Sequence, residues 1–312
     1  MRVAGTSYNE MMVSQLNLLT SQQQQLENQV TTGMRVTKPE DDPAAMGQAL
    51  NMDTENSALT QYSQNITSLQ SRSDLVASSL QQLQSLTDQA TEIATEADGT
   101  ATPTQLQAYA SQVSGLIQQA VSIANTQDGD QYIFGGTKSS EAPYTTTTDA
   151  SGNITAVNYQ GNTSVMQSDI GPGTKMSVDI PGSNTTGSGA RGLFTDSRYG
   201  ADLFSHLISL QSDLESGDTT AIQSTDEPAL VKDENNVIYQ VSANGVGQSQ
   251  LTAAASNNTT QQDAVQQSIS SLTGADITQT IVNLTENQTT YQAALQGSSI
   301  LLNLQQSLLE YL

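Results

Sequence analysis

The sequence predicts a mainly α-helical chain with an inserted β domain. Its frame is an antiparallel helical bundle or coiled coil of paired N- and C-terminal helices, carrying a small β-rich outer domain. Three observations lead there. Apolar residues recur in heptad steps near both ends, as in helices that share a narrow apolar seam. The middle alternates Thr with Val and Ile between Gly- and Pro-containing turns, the pattern of short antiparallel strands. Aromatic residues make up only 4% of the 312 residues, with no Trp and three Phe, so thin helix packing suits the composition better than one large core.

From about residue 8 to residue 127 the chain is rich in Gln, Leu, Ala and Ser. Met12, Leu16, Leu19, Gln23, Leu26 and Val30 fall at alternating steps of four and three, and Ile66, Leu69, Ser73, Val76, Leu80, Leu83, Thr87 and Ala90 do the same. Thr102-Pro103 reads as a helix start, after which Leu106, Tyr109, Val113, Leu116, Ala120 and Ile123 repeat the pattern. At the other end Ile277, Ile281, Leu284, Gln288, Tyr291, Leu295, Ser298, Leu302, Gln305 and Leu309 form a matching seam. Between them, Ile154–Tyr159, Ser164–Ile170 and Lys175–Ile180 are predicted strands, and Ala201–Leu214 a helix. Ala229–Val241 reads as a hairpin closed near Asp233–Asn236, with helix resuming from about Gln248.

The expected organisation is therefore residues 1–45 and 275–312 as terminal assembly helices, 46–131 and 245–274 as bundle core, 132–200 as a β-rich variable domain, and 201–244 as a helix plus inserted hairpin. A buried Leu contributes roughly 1.5–3 kcal/mol, whereas ordering a residue costs roughly 1–2 kcal/mol of backbone entropy. Seams diluted by Gln23, Gln288, Ser298 and Gln305 predict terminal helices that are disordered or marginal in the monomer and order against neighbouring subunits.

The formal charge is −22, from nine basic and thirty-one acidic residues, with no basic residue between Arg72 and Lys138. Such a surface repels phosphate backbones, so no nucleic acid is expected as partner, nor a membrane held by a polybasic patch. Absence of Cys excludes disulfides and thiolate-bound zinc. Nowhere do about eighteen apolar residues run together, so no membrane insertion is expected. The opening residues contain no apolar run of signal-peptide length, so if the protein is secreted its route does not use a cleaved signal peptide.

No catalytic constellation emerges, and no cofactor or metal is expected. His206 is the single histidine, so a Ser-His-Asp arrangement would have to be built on it alone; a histidine on a helix face more often packs than catalyses. Asp41-Asp42 before Pro43 reads as a helix cap, with negative charge on the helix dipole and Pro in the first turn, rather than as a metal pair.

Three segments resemble the flagellin superfamily and, within it, the hook-associated protein 3 family. Gly33–Met46, GMRVTKPEDDPAAM, is similar to that family's loop after the first helix. Gly129–Lys138, GDQYIFGGTK, is similar to the turn from the outgoing helix into the variable domain; Tyr132, Ile133 and Phe134 anchor it and Gly135-Gly136 allow the change of direction. Gly152–Gly182 looks like the family's β domain, and Ala275–Leu312, ending Leu308-Leu309-Glu310-Tyr311-Leu312, like its last helix. Thr225–Asn244 departs from the family's continuous helix and reads as an insertion.

The resemblance implies a non-enzymatic structural subunit of the extracellular flagellum, forming the ring between hook and filament on which flagellin polymerises. Implied partners are the other hook–filament junction protein, flagellin, further copies of itself, and a cytoplasmic export chaperone on the C-terminal helix, with export through the flagellar type III apparatus. Candidate subunit-interface residues are Leu16, Leu19, Leu26, Val30, Leu295, Leu302, Leu309 and Leu312 on the seams, with Arg35, Asp41 and Asp42 in the loop. Two other readings remain open: a flagellin filament subunit of the same architecture, and a secreted adhesin or enzyme carried on a helical stalk.

Overall fold

The computed structural model describes the backbone of residues 2–310 and the side chains of residues 10–300 and of Asn303. Helices carry most of the chain: α1 (Arg2–Thr32), α2 (Pro43–Glu96), α3 (Pro103–Ala124), α4 (Leu203–Ser216), the single turn α5 (Thr219–Ala221), α6 (Glu227–Thr273) and α7 (Ile277–Glu310). A π-helical turn, Ile222–Asp226, leads into α6. Residues 1–60 with 260–312 form one compact unit, here the terminal unit, and residues 61–259 form a second, the central unit.

In the central unit the seams expected on the second and third helices are buried. Ile66, Leu69, Ser73, Val76, Leu80, Leu83, Thr87 and Ala90 all lie inside, as do Leu106, Val113, Leu116, Ala120 and Ile123 of α3. Thr102 opens α3 with a capping box: its hydroxyl accepts from the Gln105 N–H while the Gln105 side chain accepts from the Thr102 N–H. α3 packs on α4, whose Leu203, Leu207, Leu210 and Leu214 complete the core.

The β segment consists of small pieces. The hairpins are β1 (Gln127–Asp128) with β2 (Gln131–Tyr132), β3 (Tyr144–Thr148) with β4 (Ile154–Tyr159), and β5 (Ser168–Gly171) with β6 (Thr174–Met176). The three-stranded sheet β7 (Ser183–Asn184), β8 (Thr195–Asp196), β9 (Ala201–Asp202) mixes a parallel and an antiparallel pair. β4 has the predicted bounds. β5 and β6 are shorter than the predicted Ser164–Ile170 and Lys175–Ile180, because pairing is confined to the residues flanking Pro172-Gly173. Beyond β6, Val178 and Ile180 continue without a paired strand and are buried as core side chains.

β3 and β4 contribute Tyr144 and Tyr159 to an aromatic cluster that gathers all three Phe of the chain, while Ile170 of β5 and Met176 of β6 pack with Ile66, Leu69 and Leu251. Phe194 stacks on Phe204 at 5.3 Å and meets Phe134 edge-on at 5.7 Å, and Tyr144 contacts Phe194, Phe204 and Tyr159 at 5.0–5.2 Å. Each such pair contributes about 0.5–1.5 kcal/mol beyond its buried area. Gly136 makes the predicted change of direction at φ +68°, and a Cβ there would sit 2.3 Å from the Asn162 carbonyl oxygen.

The expected hairpin at Ala229–Val241 does not exist: these residues are the start of the continuous helix α6, so helix begins at Glu227 rather than near Gln248. The residues that suggested a turn are instead a buried polar stripe. Asp233, Asn236, Gln240 and Asn244 are 0–8% exposed and satisfy backbone groups of the loops they face. Asp233 accepts from the Asp202 N–H at 2.8 Å. Asn236 donates to the carbonyls of Gly192 and Leu193 at 2.9 and 2.6 Å, and Gln240 to that of Arg191 at 3.0 Å. Asn244 donates to the Ser73 carbonyl and accepts from the Ser73 hydroxyl. Irregular loops around β7–β9 leave main-chain groups without ladder partners, and these helix side chains pair them.

The terminal unit buries little. Among the described apolar residues only Val36, Ala45, Ala49, Leu59 and Ile269 of this unit are fully buried. α1 and α7 pack together, and the predicted α1 seam faces that contact: Met12, Leu16, Leu19, Gln23, Leu26 and Val30 are each half-buried while most of their neighbours are exposed. On α7 the seam is rotated from its predicted position. Thr280, Leu284, Asn287, Tyr291, Ala294 and Ser298 turn inward, while Ile277, Ile281, Gln288 and Leu295 are exposed. Leu302, Gln305 and Leu309 lie in α7 beyond the described side chains, and Leu312 lies outside the described residues.

Candidate assembly interface

The loop after α1 is built from its own hydrogen bonds. Gly33 ends α1 at φ +71°, its N–H donating to the Gln29 carbonyl at 2.9 Å, the left-handed termination that glycine permits. The chain is then tied to the α6–α7 connection: the Arg35 and Val36 N–H groups donate to the Thr273 carbonyl at 2.6 and 3.2 Å, and Ala275 N–H to the Gly33 carbonyl at 2.9 Å. The Arg35 guanidinium donates to the Leu272 carbonyl at 3.1 Å and lies 3.5 Å from Asp42.

Asp41 and Asp42 have separate tasks. Asp41 accepts from the N–H groups of Thr37 and Lys38, both at 3.0 Å, and these donors hold its carboxyl below the usual carboxylate range. Asp42 caps α2 by accepting from the Ala45 N–H at 3.0 Å; that bond, with the Arg35 charge, lowers its pKa as well. Both carboxylates are thus engaged within the chain, and Arg35, half exposed, keeps free guanidinium surface.

Between α1 and α7 runs a groove lined by Leu19, Gln22, Leu26, Asn283 and Asn287 among others. Asn287 donates to Gln22 at 3.3 Å, while its carbonyl oxygen is buried without a partner. Leu16, Leu19, Leu26 and Val30 are each half-buried, and Leu19 and Leu26 border this groove. Leu295 is 43% exposed. Sequence reasoning missed Met11, Val13, Leu18, Val282 and Ile300, which are 53–62% exposed. Their signal was available: they are large apolar residues off the heptad seam in helices otherwise rich in Gln, Thr and Asn.

His206 occupies a structural position. Its Nδ1 lies 2.6 Å from Asp233 Oδ2, bridging α4 and α6. Burial opposes protonation of the ring, but the hydrogen bond and charge of Asp233 outweigh it and raise its pKa. Nearby, burial pushes Asp226 up to about 6, against a hydrogen bond from Ser209 and with Asp213 reinforcing the rise. Among the described residues no group of three or more His, Asp or Glu is placed to hold a metal ion, and no helix is long and apolar enough to cross a membrane.

Comparison with known proteins matches both ends of the chain. The family description "bacterial flagellin N-terminal helical region" matches residues 6–139, and "bacterial flagellin C-terminal helical region" matches residues 230–312. Thr225–Asn244, expected as an insertion, falls largely inside the second match, in agreement with its continuous helix. Flagellar hook-associated protein 3 of Escherichia coli (strain K12) is 34% identical over 118 residues, 37% of each chain. Its counterpart from Salmonella typhimurium is 30% identical over 146 residues, 46% of each. The chain thus spans less than half the length of the curated relatives it matches. Among solved structures, a protein described as a flagellar hook-associated protein of Vibrio parahaemolyticus superposes with TM-score 0.64 at 20% identity, over 75% of this chain and all of that one. FlgL of Xanthomonas campestris gives 0.58 at 19% identity, over 70% of this chain and 99% of that one. At such identities these two establish the fold.

Proposed function

The chain belongs to the bacterial flagellin family, and we propose that it is a structural subunit of the junction between flagellar hook and filament. The observation that carries this reading is the terminal unit's open apolar surface. Ile277, Ile281, Leu295 and Ile300 of α7 and Met11, Val13 and Leu18 of α1 are exposed, while polar Thr280 and Asn287 are buried beside α1. A helix pair built this way is completed by neighbouring subunits, whose burial of those side chains supplies what the free chain lacks. The terminal helices are accordingly assembly elements, marginal in the monomer.

In this reading copies of the chain form a ring, with the other junction protein below and flagellin above. It is a non-enzymatic component of the extracellular flagellum. Export runs through the flagellar type III apparatus, with a cytoplasmic chaperone on the C-terminal helix. The similarity to hook-associated protein 3 of two bacteria supports the junction over the filament proper.

Deleting the gene in the source bacterium, imaging the hooks and assaying flagellin in the medium tests it. Hooks without filaments, with abundant monomeric flagellin outside the cell, are expected. Bare hooks with no flagellin in the medium would make the chain the filament protein, and unchanged filaments would remove the flagellar role.

A further inference from the structure

The first half of α6 is inside out. Its polar stripe Asp233, Asn236, Gln240 and Asn244 is buried, while Val231, Ile238, Tyr239 and Val246 are 40–59% exposed, beside Tyr199 at 51%. Steps of seven and eight residues place Val231, Ile238 and Val246 on one helix face. Two cations flank this stripe, together with the half-buried Glu227 and Glu234 of the same helix. The Arg191 guanidinium lies 3.6 Å from the Tyr199 ring centre and 4.1 Å from that of Tyr239, and Lys232 is exposed on the same helix. Arg35, Lys38, Arg72, Lys175 and Arg198 each have a carboxylate of this chain within ion-pair distance. Among the described residues Lys138, Arg191 and Lys232 form no such pair, in a chain of charge −22.

A complementary surface occurs on α2. Asp88, Glu92 and Glu96 are exposed at successive four-residue steps, so they stand in one row of like charge, a mutually repelling arrangement. No basic residue occurs between Arg72 and Lys138 to relieve it. Identical subunits that build a ring or helical turn need a heterologous contact, in which one patch of each copy meets a different patch of the next.

From these features we infer that the apolar, cation-flanked stripe of α6 receives the Asp88–Glu92–Glu96 face of α2 from a second copy of this chain. The apolar side chains bury against the partner helix, while Lys232 and Arg191 meet the carboxylate row. This rests on the self-assembling role proposed above and adds a contact in the central unit to those of the terminal helices.

The absence of Cys makes the contact testable in intact flagella. Asn235→Cys and Glu92→Cys are introduced singly and together into the full-length gene, and isolated flagella are treated with a short bis-maleimide. The double variant is expected to give a ladder of covalent multimers joined between residues 235 and 92, and each single variant none. Motile cells whose flagella contain the double variant but yield no ladder overturn the contact and leave the junction role standing. Cross-links from position 235 to flagellin or another flagellar protein overturn it too. Should the double variant not assemble, charge reversal decides. Lys232→Glu lowers the recovered copies per flagellum several-fold and Glu92→Lys in the same chain restores them; without restoration the contact is wrong. Unaltered filaments after gene deletion would instead defeat the junction role itself.

Discussion

The central and terminal units are written in the same residues, Leu, Ala, Gln, Ser and Thr at heptad steps, yet they treat those seams differently. Val76, Leu80, Leu83 and Leu86 of α2 are at most 1% exposed, whereas the seam of α1 is only half-buried and that of α7 is partly turned outward. In the central unit α2, α3, α4 and an aromatic cluster enclose the seam from several sides. In the terminal unit α1 and α7 have chiefly each other, and two helices cannot surround a shared stripe. Heptad spacing therefore specifies which face is apolar, while the number of neighbours decides whether that face is buried within the chain or left exposed.

The strongest test of this contrast is core truncation. Phe194, fully buried against Phe134, Tyr144 and Phe204, should cost about 3–5 kcal/mol on replacement by Ala. Leu19→Ala, at a half-buried position of the terminal unit, should cost less than about 1.5 kcal/mol. Urea unfolding of the monomer measures both, and equal losses would break the contrast.

A second test uses the central unit's buried carboxylate. Asp226 is 1% exposed, one of its oxygens lacks a partner, and its pKa is raised from 3.8 to about 6. An acid whose folded pKa lies above its unfolded value opposes folding when ionised, so this penalty is relieved as pH falls through about 6. Asp226→Asn should stabilise the protein by about 2 kcal/mol at pH 7 and by much less at pH 5. His206, raised by Asp233, acts in the same direction, its contribution being lost as pH rises through its folded pKa. Urea midpoints of wild type and variant at the two pH values check the sign; a gain as large at pH 5 as at pH 7 would refute the assignment.

Smaller still is the effect of the cap on α2, within the terminal unit. Asp42→Ala removes the acceptor of the Ala45 N–H and should cost about 1 kcal/mol, seen as faster amide hydrogen exchange in the first turn of α2 with little change elsewhere. The smallest effect on the monomer is expected from Ile281→Ser and Leu295→Ser. Both side chains are more than 40% exposed, so unfolding should shift by no more than about 0.5 kcal/mol. Incorporation into flagella should nevertheless fall, and a large loss of monomer stability would show these residues to be core.

Much was legible in the amino-acid order alone. The helical ends, the buried faces of α2 and α3, the capping of α3 by Thr102 and of α2 by Asp42, and the bounds of β4 follow from period, cap and turn chemistry, which act over a few residues. Three features were not legible. Asp233 and Asn236 carry turn propensity, yet they lie within a helix because loop carbonyls and amides some thirty to forty-five residues earlier need partners. The rotation of the α7 seam is set by which face α1 can approach, and α7's own pattern of Ile and Leu does not contain that information. The exposure of Val231, Ile238 and Val246 follows from the polar stripe being recruited inward. Local propensity and periodicity thus determined where helices form and which residues are apolar. Tertiary structure decided which face of each helix is inside, because burial depends on what stands opposite.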